Sequence, residues 1–119
     1  MRALWQGDEV ISPWHDMPLE AGDGMYNMLT EIPKMTFKKM EVATKVEGNP
    51  IMQDQKKGKA RLYHGPIFWN YGCLPQTWED PNVKGDADVN GAFGDNDPVR
   101  PSCVGPPSSH WRQPCASRA

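Results

Sequence analysis

The sequence predicts a mainly β fold, either a small β-barrel or an α+β domain built from short strands and long loops. Two observations point there. Twelve prolines are spread through 119 residues, which leaves little room for long helices. The clearest apolar patterns alternate with period 2 over short runs, and turn residues bound them. At this length the chain makes one domain at most, and folding all of it would bury a modest core.

Met25–Ile32 is the strongest strand. Tyr26, Met28, Thr30 and Ile32 share one face, Asn27, Leu29 and Glu31 the other, and Pro33 ends the run. Residues 39–45 form a second strand whose more apolar face carries Met40, Val42 and Thr44. Lys39, Glu41, Ala43 and Lys45 share the opposite face. The basic turn between these strands predicts a hairpin. Lys56-Lys57-Gly58-Lys59 is a turn signal, with a short strand expected over residues 60–63. Residues 67–74 are aromatic and β-prone and predict a further strand. Residues 75–94 read as loop, punctuated by Pro81, Gly85, Gly91 and Gly94. Trp69 and Trp78 are expected in the core.

The last 22 residues differ. All 15 acids lie in residues 1–97, alongside ten Lys/Arg; residues 98–119 hold three Arg, five prolines and four serines. Nothing there alternates, so a loose or disordered tail is expected. The formal net charge of −2 gives no basis for bulk nucleic-acid binding. Cys73, Cys103 and Cys115 lack the spacing of a zinc site or a disulfide framework. Cys73 reads as a small buried filler in a reducing compartment. No apolar run is long enough to span a membrane. The first nine residues resemble neither a signal nor a transit peptide, so a cytoplasmic location is expected.

Chemistry concentrates in a few positions. Gly94-Asp95-Asn96-Asp97-Pro98 sets two carboxylates two residues apart, spacing that lets both reach one hard, oxygen-seeking cation such as Mg²⁺. Lys39 and Glu41 project together from one strand face, and Arg61 and Tyr71 lie on later strands. A cavity lined by these groups would combine ammonium, guanidinium, phenol and carboxylate. That set suits metal-assisted phosphoryl transfer, in which positioning and charge stabilisation supply most of the catalysis. Each residue also has an ordinary reading: solvated lysines, a cross-strand Lys–Glu pair, a rim tyrosine. Asp86, Asp88, Asn90, Gly91 and Asp97 match much of a calcium-loop spacing, so a calcium-binding loop module is a competing pattern. Prolines and glycine on both sides argue against the helices that such a loop needs.

The ordered segments Ser12-Pro13-Trp14-His15-Asp16-Met17-Pro18-Leu19, Glu31-Ile32-Pro33-Lys34, Lys38-Lys39-Met40-Glu41-Val42, Gln53-Asp54, Lys56-Lys57-Gly58-Lys59, Trp69-Asn70-Tyr71-Gly72, Pro75-Gln76-Thr77-Trp78-Glu79-Asp80-Pro81 and Gly94-Asp95-Asn96-Asp97-Pro98 bring a family into view. From about residue 11 to 99 the chain resembles the soluble family I inorganic pyrophosphatases in their eukaryotic form. The resemblance implies an OB-like β-barrel and Mg²⁺-dependent hydrolysis of pyrophosphate to two phosphates. It implies that Asp95 and Asp97 bind metal and that Glu41 is tied to the metals through water. Lys39, Arg61 and Tyr71 would hold phosphate oxygens, with Glu31 a nearby acid; Lys39, Glu41, Arg61 and Tyr71 form the implied catalytic set.

The departures from the family pattern are specific. Arg100 stands where the motif Asp-x-Asp-Pro-x-Asp has its last acid, and Ile67 stands where the family usually has an active-site tyrosine. The resemblance stops after Val99, ahead of later strands and of further metal-binding acids. The expectation is therefore residues 1–10 as an N-terminal extension, 11–99 as the N-terminal part of a pyrophosphatase domain, and 100–119 as an unrelated Pro/Ser-rich tail. An incomplete OB-like barrel, truncated by a frameshift, an alternative splice or a mistaken gene model, follows, with little or no activity and weak folding. A non-catalytic fragment that binds phosphate or metal, forms a homodimer or pairs with a full-length homologue is the alternative.

Overall fold

The computed structural model describes residues 1–104 and the backbone of residues 112–116. Among them the only helical element is a single 3₁₀ turn, Ala87–Val89. The chain opens with a hairpin, β1 (Leu4–Gln6) and β2 (Glu9–Ile11), turning at Gly7, whose φ of 64° suits glycine. Then come β3 (Glu20–Gly22) and β4 (Met25–Ile32), β5 (Met40–Val42) and β6 (Ile51–Gln53). The hairpin β7 (Gln55–Lys56) and β8 (Lys59–Ala60) follows, turning through Lys57 and Gly58, both at positive φ. β9 (Asn70–Cys73), β10 (Ser102–Cys103) and β11 (Arg112–Ala116) complete the order.

β4 is the spine. The main sheet runs β10-β9-β4-β11, with β3 also paired to β4, and every observed pairing is antiparallel. Residues 27–32 are all buried, because this central strand is covered on both faces. Leu29 pairs with Cys73 and Thr30 with Gly72. A Cβ at Gly72 would collide with the Leu29 carbonyl, so glycine permits the close strand approach. The core gathers Trp14, Met17, Leu29, Val42, Ile51 and Cys73, with Leu4 and Met40 packed against it. Cys73 is the buried filler the sequence predicts, and burial pushes its thiol pKa up.

Three expectations change, those for the β4–β5 hairpin, the two tryptophans and the tail. β5 pairs with β6, not with β4, so the predicted hairpin is absent. Where a β4–β5 ladder would lie, the Val42 amide instead donates to the Glu31 carboxylate at 2.7 Å. Trp69 and Trp78 are exposed, and Trp14 takes the core position. A run of aromatic residues does not reveal which ring faces inward. The predicted extension, residues 1–10, carries β1 and most of β2, and Arg2 bridges to Ile51 in backbone pairing. The tail was expected to be loose throughout, yet Ser102–Cys103 extends β9 and Arg112–Ala116 lies along β4. Ladder hydrogen bonds come from the backbone and need no side-chain alternation. The rest of the predicted loose tail, 105–111 and 117–119, lies outside the described residues. Among the described residues the sheets stay open and do not close into a barrel.

A candidate phosphate-binding cleft

Four segments supply the site. Glu31 is the penultimate residue of β4, Lys39 and Glu41 flank the start of β5, Tyr71 lies on β9, and Asp95 and Asp97 sit on the loop before β10. The loop is fixed by reciprocal backbone bonds, Glu79 N–H to the Asp97 carbonyl at 2.9 Å and Asn96 N–H to the Glu79 carbonyl at 3.0 Å. The Asp97 amide also donates to Asp95 Oδ1 at 3.1 Å. A Cβ at Gly94 would strike the backbone of Glu79, so glycine lets the loop lie this close.

Glu31, Lys39, Glu41, Tyr71, Asp95 and Asp97 then line one cleft of about 170 Å³, joined by Arg100. Arg61 stands beside it, more exposed, and connects through a relay. Its Nη1 donates to Asp54 Oδ2 at 2.7 Å, and Lys39 Nζ donates to the same oxygen at 2.7 Å and to Glu41 Oε2 at 2.8 Å. All seven sequence-predicted site residues thus fall in one neighbourhood. A larger hollow of about 450 Å³, between Trp78 and Phe93, is mostly apolar and has no lining cation.

The charges are strongly coupled. The Glu31 side chain has no solvent exposure, and its pKa is raised to about 7. Burial is the main cause; the Val42 amide and the Arg100 guanidinium pull the other way. Burial also works against the Lys39 charge, but the bonds to Asp54 and Glu41 outweigh it and hold its pKa above the usual lysine value. Lys39, reinforced by Arg61, lowers the Asp54 pKa against the effect of burial. Burial raises Tyr71, keeping it a neutral phenol able to donate. Glu79 is raised as well, by desolvation and then by the neighbouring Asp95.

Two participants escaped the sequence reading. Asp54 orders Lys39 and Arg61, although Gln53-Asp54 between a strand and a lysine turn was the available signal. Arg100 was legible only as a departure from a pattern. In the structure its Nη1 donates to Asp97 Oδ2 at 2.8 Å and its Nε meets Glu31 Oε2 at 3.4 Å.

The competing calcium loop is not built. Asp86 Oδ1 accepts from the Asp88 amide and caps the 3₁₀ turn, and no α-helix flanks the loop among the described residues. Nor do the described residues hold any group of three His, Cys, Asp or Glu side chains placed to share a metal ion.

The family model for inorganic pyrophosphatase matches residues 28–109. This chain belongs to the inorganic pyrophosphatase family. It is 60% identical over 89 residues to the chloroplastic soluble inorganic pyrophosphatase 6 of Arabidopsis thaliana, covering 75% of this chain and 29% of that protein. To the human inorganic pyrophosphatase it is 49% identical over 98 residues, covering 76% and 32%. Among solved structures, the type I enzyme of Toxoplasma gondii aligns with 92% of this chain and 48% of its own, at 43% identity and a TM-score of 0.75. A Trypanosoma cruzi vacuolar soluble pyrophosphatase in complex with PPi aligns with 82% and 40%, at 44% identity and the same TM-score. The chain thus spans about a third of the curated relatives and less than half of these solved chains.

Proposed function

We propose that the cleft is the phosphate-oxygen end of a pyrophosphatase site, and that this chain by itself hydrolyses inorganic pyrophosphate weakly or not at all. The observation that carries this is the convergence of Lys39, Tyr71 and the Asp95/Asp97 pair, from three separate segments, on one cleft. Lys39 presents a compact positive charge to a phosphate oxygen, the Arg61 fork offers paired donors, and the Tyr71 hydroxyl donates one bond. Asp54 orients both cations. Glu41 and Glu31 complete the acidic wall.

Family membership implies a divalent metal cofactor, and oxygen ligands of this kind suit Mg²⁺. The residues present do not fit a multi-ion centre. Arg100 engages one oxygen of Asp97 and one of Glu31, and its positive charge lies on the acids an ion would need. Four carboxylates (Glu31, Glu41, Asp95, Asp97) line the cleft against two cations (Lys39, Arg100). A multiply charged anion therefore meets a net negative wall, the more so when Glu31 is ionised, and binding is weak.

A phosphate-release assay with Mg²⁺ and pyrophosphate tests this. Release at the background rate, unchanged in Asp97→Ala, is expected. Clear turnover that Asp97→Ala abolishes would refute the low-activity reading.

A second reading has its own support. Phe37, Leu62, Phe68 and Trp69 are exposed, Phe68 to 67%, and the short strand β10 ends the sheet beside β9. Open edges and apolar surface invite association. The reading is a non-catalytic subunit that forms a homodimer or pairs with a full-length homologue; co-purification of the two tagged chains tests it. No helix among the described residues is long and apolar enough to cross a membrane. A cytoplasmic location is proposed with this function, and cell fractionation tests it.

A further inference from the structure

We infer that Arg100 is a built-in counter-ion that takes the place of a divalent cation at Asp97, so that the acidic end of this cleft is neutralised by the chain itself and is refractory to metal. The inference rests on reading Asp95 and Asp97 as the metal-facing acids. It is tested by ion binding, so its failure is distinguishable from a failure of the activity proposal.

Three observations carry it. The first is geometric. The guanidinium reaches two carboxylates from different parts of the fold, Asp97 at 2.8 Å, three residues before it, and Glu31 at 3.4 Å, 69 residues before it. It therefore ties the acidic loop to the end of the central strand β4. The second is burial. Only 16% of the Arg100 side chain is exposed, and Glu31 has no exposure, so the pair is little screened by solvent. The third is the lack of a rival donor set. No three His, Cys, Asp or Glu side chains are placed to share an ion among the described residues, and the Asp97 Oδ2 atom an ion would reach is already taken by Arg100.

The physical consequence is a trade between two kinds of cation. Mg²⁺ requires nearly octahedral oxygen ligands and gives up its water reluctantly. Arginine stays charged at every accessible pH, is already part of the chain, and loses no translational freedom when it docks. A tethered guanidinium therefore outcompetes a free ion for Asp97 unless several carboxylates act together. With Arg100 where the family motif has an acid, one ligand is lost and one competitor is gained at the same position. The fold holds its acidic cluster together without an ion.

The test is Mn²⁺ binding, read from the loss of the free-ion signal in electron paramagnetic resonance. Four chains are compared: wild type, Asp97→Asn, Arg100→Gln and Arg100→Asp. Wild type and Asp97→Asn are expected to leave the Mn²⁺ signal equally unchanged. Arg100→Gln removes the competitor and Arg100→Asp also adds a carboxylate; both are expected to take up Mn²⁺, the aspartate variant at least tenfold more tightly than wild type. Uptake by wild type that Asp97→Asn abolishes would overturn the inference. So would Arg100 variants that match the wild-type circular dichroism yet gain no affinity. Should those variants misfold, the wild type and Asp97→Asn decide the matter between them.

Discussion

Replacing Arg100 with alanine is expected to destabilise the fold in a strongly pH-dependent way. The guanidinium serves two carboxylates with different escape routes. Asp97 is a third exposed and can turn to water, so the loss of that pair is worth about 0–1 kcal/mol. Glu31 is fully buried and keeps only the Val42 amide. Breaking a buried pair by removing one partner costs about 3–5 kcal/mol when the other stays charged. In the wild type, whose Glu31 pKa is about 7, Glu31 is already protonated at pH 5, so little of that pairing is lost there; at pH 8 the wild type holds an ionised, paired Glu31, whereas the variant, with its pKa raised further by the loss of Arg100, must leave the charge unpaired or take up a proton. The expected loss is therefore about 1 kcal/mol at pH 5 and about 2–4 kcal/mol at pH 8. Each kcal/mol is worth about 4–8 °C in Tm for a domain of 60–100 residues. Urea unfolding at both pH values, followed by tryptophan fluorescence, measures the difference. Trimethylamine N-oxide, which strengthens effective burial, secures the folded baseline. An equal loss at the two pH values, or a larger loss at pH 5, would refute the pairing with Glu31.

The remaining predictions concern the same strand and its neighbours. In the wild type, Glu31 has a folded pKa raised from 4.5 to about 7, so the folded state binds the extra proton. Its stabilising contribution is complete below about pH 4.5 and is lost as the pH rises towards about 7, an effect on the order of 3 kcal/mol. Glu31→Gln is expected to flatten that dependence; a profile as steep as wild type would assign it elsewhere. Gly72→Ala places a methyl group on the Leu29 carbonyl and is expected to cost at least about 1–3 kcal/mol, checked by the urea midpoint. The exposed aromatics and open sheet edge predict self-association, seen as concentration-dependent light scattering during a thermal melt. A sharp, concentration-independent transition would contradict it.

The legible and illegible parts of this chain divide along physical lines. β4 was readable to its ends because alternation and Pro33 act locally, and the lysine turn was readable because Lys57-Gly58 requires positive φ. Strand partners were not readable. β5 pairs with β6, and the Val42 amide is taken by the Glu31 carboxylate, a contact between residues 11 apart that no local pattern reveals. The tryptophans show the same limit: Trp78 lies at the surface with its Nε1 on Asn96 Oδ1, whereas Trp14 donates to the Thr77 carbonyl and enters the core. The seven residues that the sequence singles out could be gathered because residue types and motifs survive in it, and the structure brings them into one neighbourhood. The relay through Asp54 and the docking of Arg100 on Glu31 required the fold, since contacts between distant positions leave no periodic trace.

The most direct test of the account observes the Arg100 side chain itself. In a ¹⁵N-labelled sample, the Arg100 Nε–H resonance is expected to be well dispersed, protected from exchange with water, and shifted by both Glu31→Gln and Asp97→Asn. An arginine resonance at the solvent-exposed position, indifferent to both substitutions, would contradict the arrangement on which the proposed metal exclusion and the proposed low activity both rest.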